Sequence, residues 1–167
     1  ETAKLVNPNK KVVLPDLNAG CSLADSAPAD EFEKFVKAYP NHKVITYINS
    51  STEVKALTDV CVTSSNAVQI VNSFPTDEKL IFAPDKNLGN YINKISGRDM
   101  LLWDGACHVH KEFSIPRLLE LKKENPKAKI IAHPECQSDL LILADHIGST
   151  SSLLKFTQTD DNAQYIV

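Results

Sequence analysis

"YPNHKVITYINS" spans residues 39–50 and "NPKAKIIAHPEC" spans residues 125–136. A shift of 86 residues lays the first over the second without a gap, with Pro40 on Pro126, Lys43 on Lys129 and Ile45 on Ile131. The same shift carries Cys21 to Cys107, Asp59 to Asp145 and Ser65 to Ser151. It also lays "TDVCVTSS" (58–65) over "ADHIGSTS" (144–151). Identities are few, but strand-like runs fall on strand-like runs and helical patterns on helical patterns along the whole overlap. The chain therefore reads as a tandem repeat of one supersecondary unit.

Outward from these stretches the alternation is regular. β-Rich runs are "KVVL" (11–14), "KVITY" (43–47), "VCVT" (60–63), "KLIFA" (79–83), "MLLW" (100–103), "KIIA" (129–132), "DHIG" (145–148) and "QYIV" (164–167). Helical spacing lies between them. "ADEFEKFVKAY" (29–39) puts Phe32, Phe35, Val36 and Tyr39 on one face, and "IPRLLELKKEN" (115–125) does the same with Leu118, Leu119 and Leu121. Ser114 is the expected N-cap of the latter, with Pro116 in its first turn. Short apolar strands alternating with helices predict an α/β fold: small three-layer αβα units with four-stranded parallel sheets. Counted from the first strand-like run, one unit covers 12–97. Counted from the cysteines, residues 1–20 are the tail of a preceding domain, 21–106 the first complete repeat and 107–167 a second, incomplete one. "QYIV" overlies the run at 79–83, and the chain does not open on Met, so a fragment of a longer protein is expected.

Composition narrows the partners. Of 167 residues, 43% are hydrophobic and 23% charged, with a net charge of −3 and no basic run, which argues against nucleic acid. No apolar stretch approaches the roughly 20 residues of a membrane helix, and no signal peptide is apparent. Four cysteines at wide spacings fit a reducing, cytoplasmic setting better than a disulfide framework. In open α/β sheets ligands gather beyond the carboxyl ends of the strands. There this sequence puts Cys21, then Tyr47 and Asn49, then Thr63, Ser64 and Ser65. The second unit puts Cys107, His108 and His110, then His133 and Glu135, then Ser149 and Thr150. Each Ser or Thr is also an ordinary helix cap. Cys21 and Cys107, at matched positions, are either two soft ligands of a metal centre or two buried small residues. Cys61, between valines, reads as core. Cys136 overlies Ser50 and so has no repeat partner.

The motifs "AGCSLAD", "TYINSS", "TSSNA", "DGACHVH", "HPEC" and "IGSTSSLL", in this order over essentially the whole chain, resemble quinolinate synthase, the iron–sulfur enzyme family of NAD biosynthesis. Several implications follow from the resemblance alone. Three similar α/β domains surround a pseudo-threefold axis, and one cysteine from each holds a [4Fe–4S] cluster with one open iron. Cys21 and Cys107 match two of the ligands; the third has no counterpart here, and most of the first domain is missing as well. Tyr47, His133 and Glu135 take catalytic positions. Tyr47, Ile48, Asn49, Ser64, His110, His133, Pro134, Glu135, Ser149 and Thr150 contact substrate. The family condenses iminoaspartate with dihydroxyacetone phosphate to quinolinate, phosphate and water, with a functional link to L-aspartate oxidase. A chain of this extent is expected to be inactive alone. Two other readings stand beside it. One is a non-catalytic α/β module binding a small dicarboxylate or phosphate. The other is a zinc-structural domain.

Overall fold

Two parallel sheets follow one another along the chain in this computed structural model, which describes residues 1–167 except Leu17 and Ala163. The elements in order are α1 (Thr2–Leu5), α2 (Ser22–Asp25), α3 (Ala29–Ala38), β1 (Lys43–Tyr47), α4 (Thr52–Ala56), β2 (Val60–Val62), α5 (Ala67–Ser73), β3 (Leu80–Ala83), α6 (Lys86–Ser96) and β4 (Leu101–Leu102). They continue with α7 (His108–Lys111), α8 (Ile115–Glu124), β5 (Lys129–Ala132), α9 (Ser138–Leu141), β6 (His146–Ile147), α10 (Thr150–Thr159) and β7 (Tyr165–Ile166). The first sheet has the order β2-β1-β3-β4 and the second β6-β5-β7. All described pairings are parallel. In each sheet the first strand is central, the second lies on one side and the third on the other.

Alternation along the strands explains the layers. Successive side chains of a strand point to opposite faces. Ile45, Tyr47 and Phe82 pack with Val71, Leu88 and Ile92 on one face of the first sheet. Val44, Ile81 and Ala83 pack with Phe32 and Val54 on the other. A sheet covered on both sides by helices is the αβα sandwich that the unbroken apolar strands implied. In the second sheet Ile130 and Ala132 pack with Leu118 and Leu140 of α8 and α9. Ser114 accepts the backbone N–H of Arg117, with proline in the first turn, as the capping pattern required.

A matched pair of hydrogen bonds underlies the repeat. The Asp59 carboxylate accepts the Val44 N–H at 2.8 Å, and the Asp145 carboxylate accepts the Ile130 N–H at 2.8 Å. Both aspartates sit just before the second strand of their sheet and fasten the start of the first. Asp59→Ala or Asp145→Ala is expected to cost about 1 kcal/mol, and about 2 kcal/mol where the freed N–H stays dry, as read by urea denaturation. Burial alone pushes the Asp59 carboxyl up, but the Val44 N–H and the Lys43 ammonium together outweigh it and hold it below its usual value. Its stabilisation is therefore present above the unfolded carboxyl pKa near ~4 and is lost as pH falls through the folded value. The Asp59→Ala penalty should shrink in acid.

Three sequence expectations are corrected. "KVVL" (11–14) forms no strand: Val12, Val13 and Leu14 are exposed, and no described strand pairs with them. "MLLW" does not lie outside the first unit, as a unit of 12–97 would have it. Its Leu101 and Leu102 pair with Ile81 and Phe82, so the run closes the first sheet. Helix α6 returns the chain beside β3, the ordinary outcome of a βαβ crossover. Cys61 is exposed instead of buried, because β2 is an edge strand and its alternate residues, not Cys61, face the core.

Candidate active site

The "HPEC" turn follows β5 as "YINS" follows β1. Glu135 on this turn is 4% exposed, although a lone buried carboxylate is costly. Two imidazoles face it. His110 Nδ1 lies 3.4 Å and His133 Nδ1 3.3 Å from the same oxygen, Oε2. The rings are 5.5 Å apart between centroids. His133 Nδ1 also accepts the Glu135 backbone N–H at 3.4 Å, so this nitrogen presents a lone pair. Glu135 Oε1 has no hydrogen-bond partner among the described residues, and neither has His110 Nδ1. Burial pushes His110 below the ordinary histidine range, against the pull of the Glu135 charge.

These three side chains line a cavity of about 590 Å³ together with Tyr47, Thr150, Cys136 and Arg117. Tyr47 comes from the carboxyl end of β1 and the histidines from the second unit, so the site joins the two halves. Burial pushes the Tyr47 phenol up to about 12, with the Glu135 charge adding and a hydrogen bond to Ser64 opposing. Tyr47 is thus a neutral donor at ordinary pH. Ser64 reaches the cavity only through Tyr47. Thr150 is on the cavity wall, whereas Ser149 is buried and caps α10 through the Ser152 N–H. Asn49 is exposed, Ile48 half-buried and packed on the first core, and Pro134 buried; none of the three lines the cavity.

Cys21 and Cys107 occupy matched N-cap positions of two four-residue helices, α2 and α7. The residues that follow them touch: the His108 N–H donates to Ser22 Oγ at 3.3 Å. Residues 22 and 108 are themselves one repeat apart, so the two cysteine-bearing turns abut across the pseudo-symmetry. Both thiols are free, Cys21 exposed and Cys107 half-buried. Cys136 differs. It is buried, and burial pushes its thiol up to about 11, which suits packing and not ligation. The described residues thus offer two accessible soft donors on neighbouring turns, a set that fits two of the ligands of an iron–sulfur cluster. His108 points elsewhere, toward Glu112 at 3.4 Å.

Sequence reading missed two residues. Asp85 is fully buried; one oxygen caps α6 at the Leu88 N–H, 2.8 Å, and the other accepts the Cys107 N–H at 3.1 Å. Burial pushes this carboxyl up to about 6, against those N–H donors. Asn87 donates to the Glu135 carbonyl at 3.1 Å and ties α6 to the "HPEC" turn. An aspartate before a helical pattern signals a cap, but nothing local signals its second partner. Gly105 serves the same junction: a Cβ there would overlap the Pro84 carbonyl and Ser26 Oγ, so only glycine lets the "DGAC" turn lie so close.

Comparison with known proteins agrees with this arrangement. The family model described as quinolinate synthetase A protein matches residues 1–167. Proteins named quinolinate synthase are similar over the entire chain: 58% identical in Thermosynechococcus vestitus, 56% in Synechocystis sp. and 54% in Trichodesmium erythraeum. The chain covers 52% of each, so it spans about half the length of these curated relatives. With the whole chain matched and the motif residues gathered at the strand ends of a repeated α/β fold, the protein belongs to the quinolinate synthetase A family.

Proposed function

We propose that this chain forms the catalytic half-shell of a quinolinate synthase, condensing iminoaspartate with dihydroxyacetone phosphate to quinolinate in NAD biosynthesis. The observation that carries the reading is the shared cavity of Tyr47, His110, His133 and Glu135 beside two abutting cysteine turns. Units of 21–106 and 107–167 are the repeats, arranged with a third around a pseudo-threefold axis in the whole protein. The setting is cytoplasmic; no helix among the described residues is long and apolar enough to cross a membrane. L-Aspartate oxidase, as source of the imine, is the functional partner.

Cys21 and Cys107 would hold a [4Fe–4S] cluster, with a third cysteine from outside this chain. Such a cluster supplies an open iron that acts as a Lewis acid toward a hydroxyl or carboxylate of the substrate. The side chains supply the proton transfers. The reaction removes protons from carbons next to imine and carbonyl groups and delivers protons to departing hydroxyls. Glu135, buried between the two imidazoles, accepts a proton at Oε2. His133 Nδ1, 3.3 Å away, takes it on and returns it, giving up its long bond from the Glu135 backbone N–H. Tyr47, protonated up to about pH 12, donates a hydrogen bond to a substrate oxygen that gains charge. His110, held neutral by burial, closes the wall over Glu135. Thr150 on the wall and the α10 N-terminus face carboxylate or phosphate oxygens, Ser64 acts through Tyr47, and Ile48, Asn49, Pro134 and Ser149 support the turns behind them.

The test is reconstitution of the intact protein with iron and sulfide under anaerobic conditions, followed by quinolinate assay with both substrates. Visible iron–sulfur absorbance and quinolinate formation that depends on both substrates are expected. Stoichiometric anion binding without iron uptake or product would select the non-catalytic module instead.

A further inference from the structure

The contacts around Glu135 leave an electrostatic demand that protein atoms do not meet. His133 Nδ1 accepts the Glu135 backbone N–H, but at 3.4 Å this bond is long and a metal ion can displace it. The same nitrogen lies 3.3 Å from a carboxylate oxygen. His110 Nδ1 faces the same oxygen at 3.4 Å and makes no hydrogen bond. The other carboxylate oxygen, on a side chain only 6% exposed, is also unpartnered among the described residues. Two imidazole nitrogens and one carboxyl group thus converge around a gap that a cation would fill.

The spacing identifies the cation. In zinc sites histidine nitrogen and carboxylate oxygen lie about 2.0–2.2 Å from the metal in a tetrahedron, which sets donors roughly 3.3–3.5 Å apart. The two nitrogen–oxygen separations here, 3.3 and 3.4 Å, match that edge. All three donor atoms lie within 4.8 Å of one another. Calcium and magnesium prefer more oxygens and larger or octahedral shells. We infer that His110, His133 and Glu135 form a site for a zinc-type divalent ion, with its fourth position opening into the 590 Å³ cavity. Two histidines, one carboxylate and an open position are the donor set of catalytic zinc sites. In this protein the ion excludes proton transfer, since His133 and Glu135 cannot ligate metal and shuttle protons at once. Zinc is therefore an inhibitor that acts at these residues and not at the cysteines. That consequence rests on the acid–base role proposed above; the binding itself does not.

Cobalt(II) reports the site without reference to activity. Titrated anaerobically into the intact, cluster-loaded protein, it should bind one equivalent and give the ligand-field bands of a low-coordinate nitrogen and oxygen site, with no thiolate-to-cobalt charge transfer. Zinc should displace it. His110→Ala and Glu135→Gln should each weaken binding by at least about a hundredfold, more than loss of an outer partner costs. Glu135→Gln keeps the side-chain shape, so it serves if the alanine variant fails to fold by circular dichroism. Cobalt held equally by wild type and Glu135→Gln, no cobalt bound at all, or a thiolate charge-transfer band in place of the ligand-field pattern overturns the site. Catalysis that survives Glu135→Gln would refute the acid–base reading and leave the cobalt result standing.

Discussion

Cys107→Ser is expected to abolish the iron–sulfur absorbance of the reconstituted protein and, with it, quinolinate formation. Serine is nearly isosteric, so packing changes little, but its hydroxyl stays protonated and is a hard donor where the cluster prefers thiolate. The turn itself should survive. Its backbone is pinned by Asp85, whose carboxylate accepts the Cys107 N–H, and by the Lys86 N–H to the Gly105 carbonyl at 2.8 Å. Loss of iron with an unchanged far-ultraviolet circular dichroism spectrum is therefore the predicted pair of observations. Cys21→Ser should behave alike, since the two turns hold matched positions and meet at Ser22 and His108. His110→Ala, by contrast, should keep the absorbance and lower turnover. An iron-free histidine variant beside an iron-loaded serine variant would exchange the two roles.

Glu135→Gln should lower kcat by roughly a hundredfold or more while leaving the cluster and KM nearly unchanged. The amide matches the carboxylate in shape and removes the charge and the basicity. It also meets the two imidazoles as a donor or acceptor, so the buried turn loses no packing. Steady-state kinetics with both substrates, beside the iron content of the same sample, reads the effect. A fall in kcat that tracks iron loss, or turnover equal to wild type, would remove Glu135 as the proton-transferring group.

Much of this architecture is written in local pattern. The overlay of residues 39–50 on 125–136 already demanded two sheets with the same strand order, and β2-β1-β3 and β6-β5-β7 have it. The shift lays Asp59 on Asp145, and the fold gives both the same hydrogen bond to the first strand of their sheet. The rule that ligands gather at carboxyl strand ends puts Tyr47, His133 and Glu135 on one side of the sheets, and the three line one cavity. Periodicity and repeats are carried by residues near in sequence, and physics acts on them before the chain closes on itself.

What only the tertiary structure decided depends on partners far apart in the chain. "KVVL" has as much strand character as "MLLW", yet only the latter finds an open edge, that of β3, and a strand exists only where a neighbour satisfies its N–H and C=O groups. Cys61 looked like core because its flanking valines do; lying at the sheet edge, it turns outward. Asp85 reads as a helix cap, and its grip on Cys107 comes from a turn 22 residues away. Nor does spacing reveal that His110 and His133 aim at one oxygen of a buried glutamate, because burial and the convergence of lone pairs belong to the closed fold. The sequence by itself determined which residues stand at the strand ends; the packing of the second unit against the first determined which of them meet.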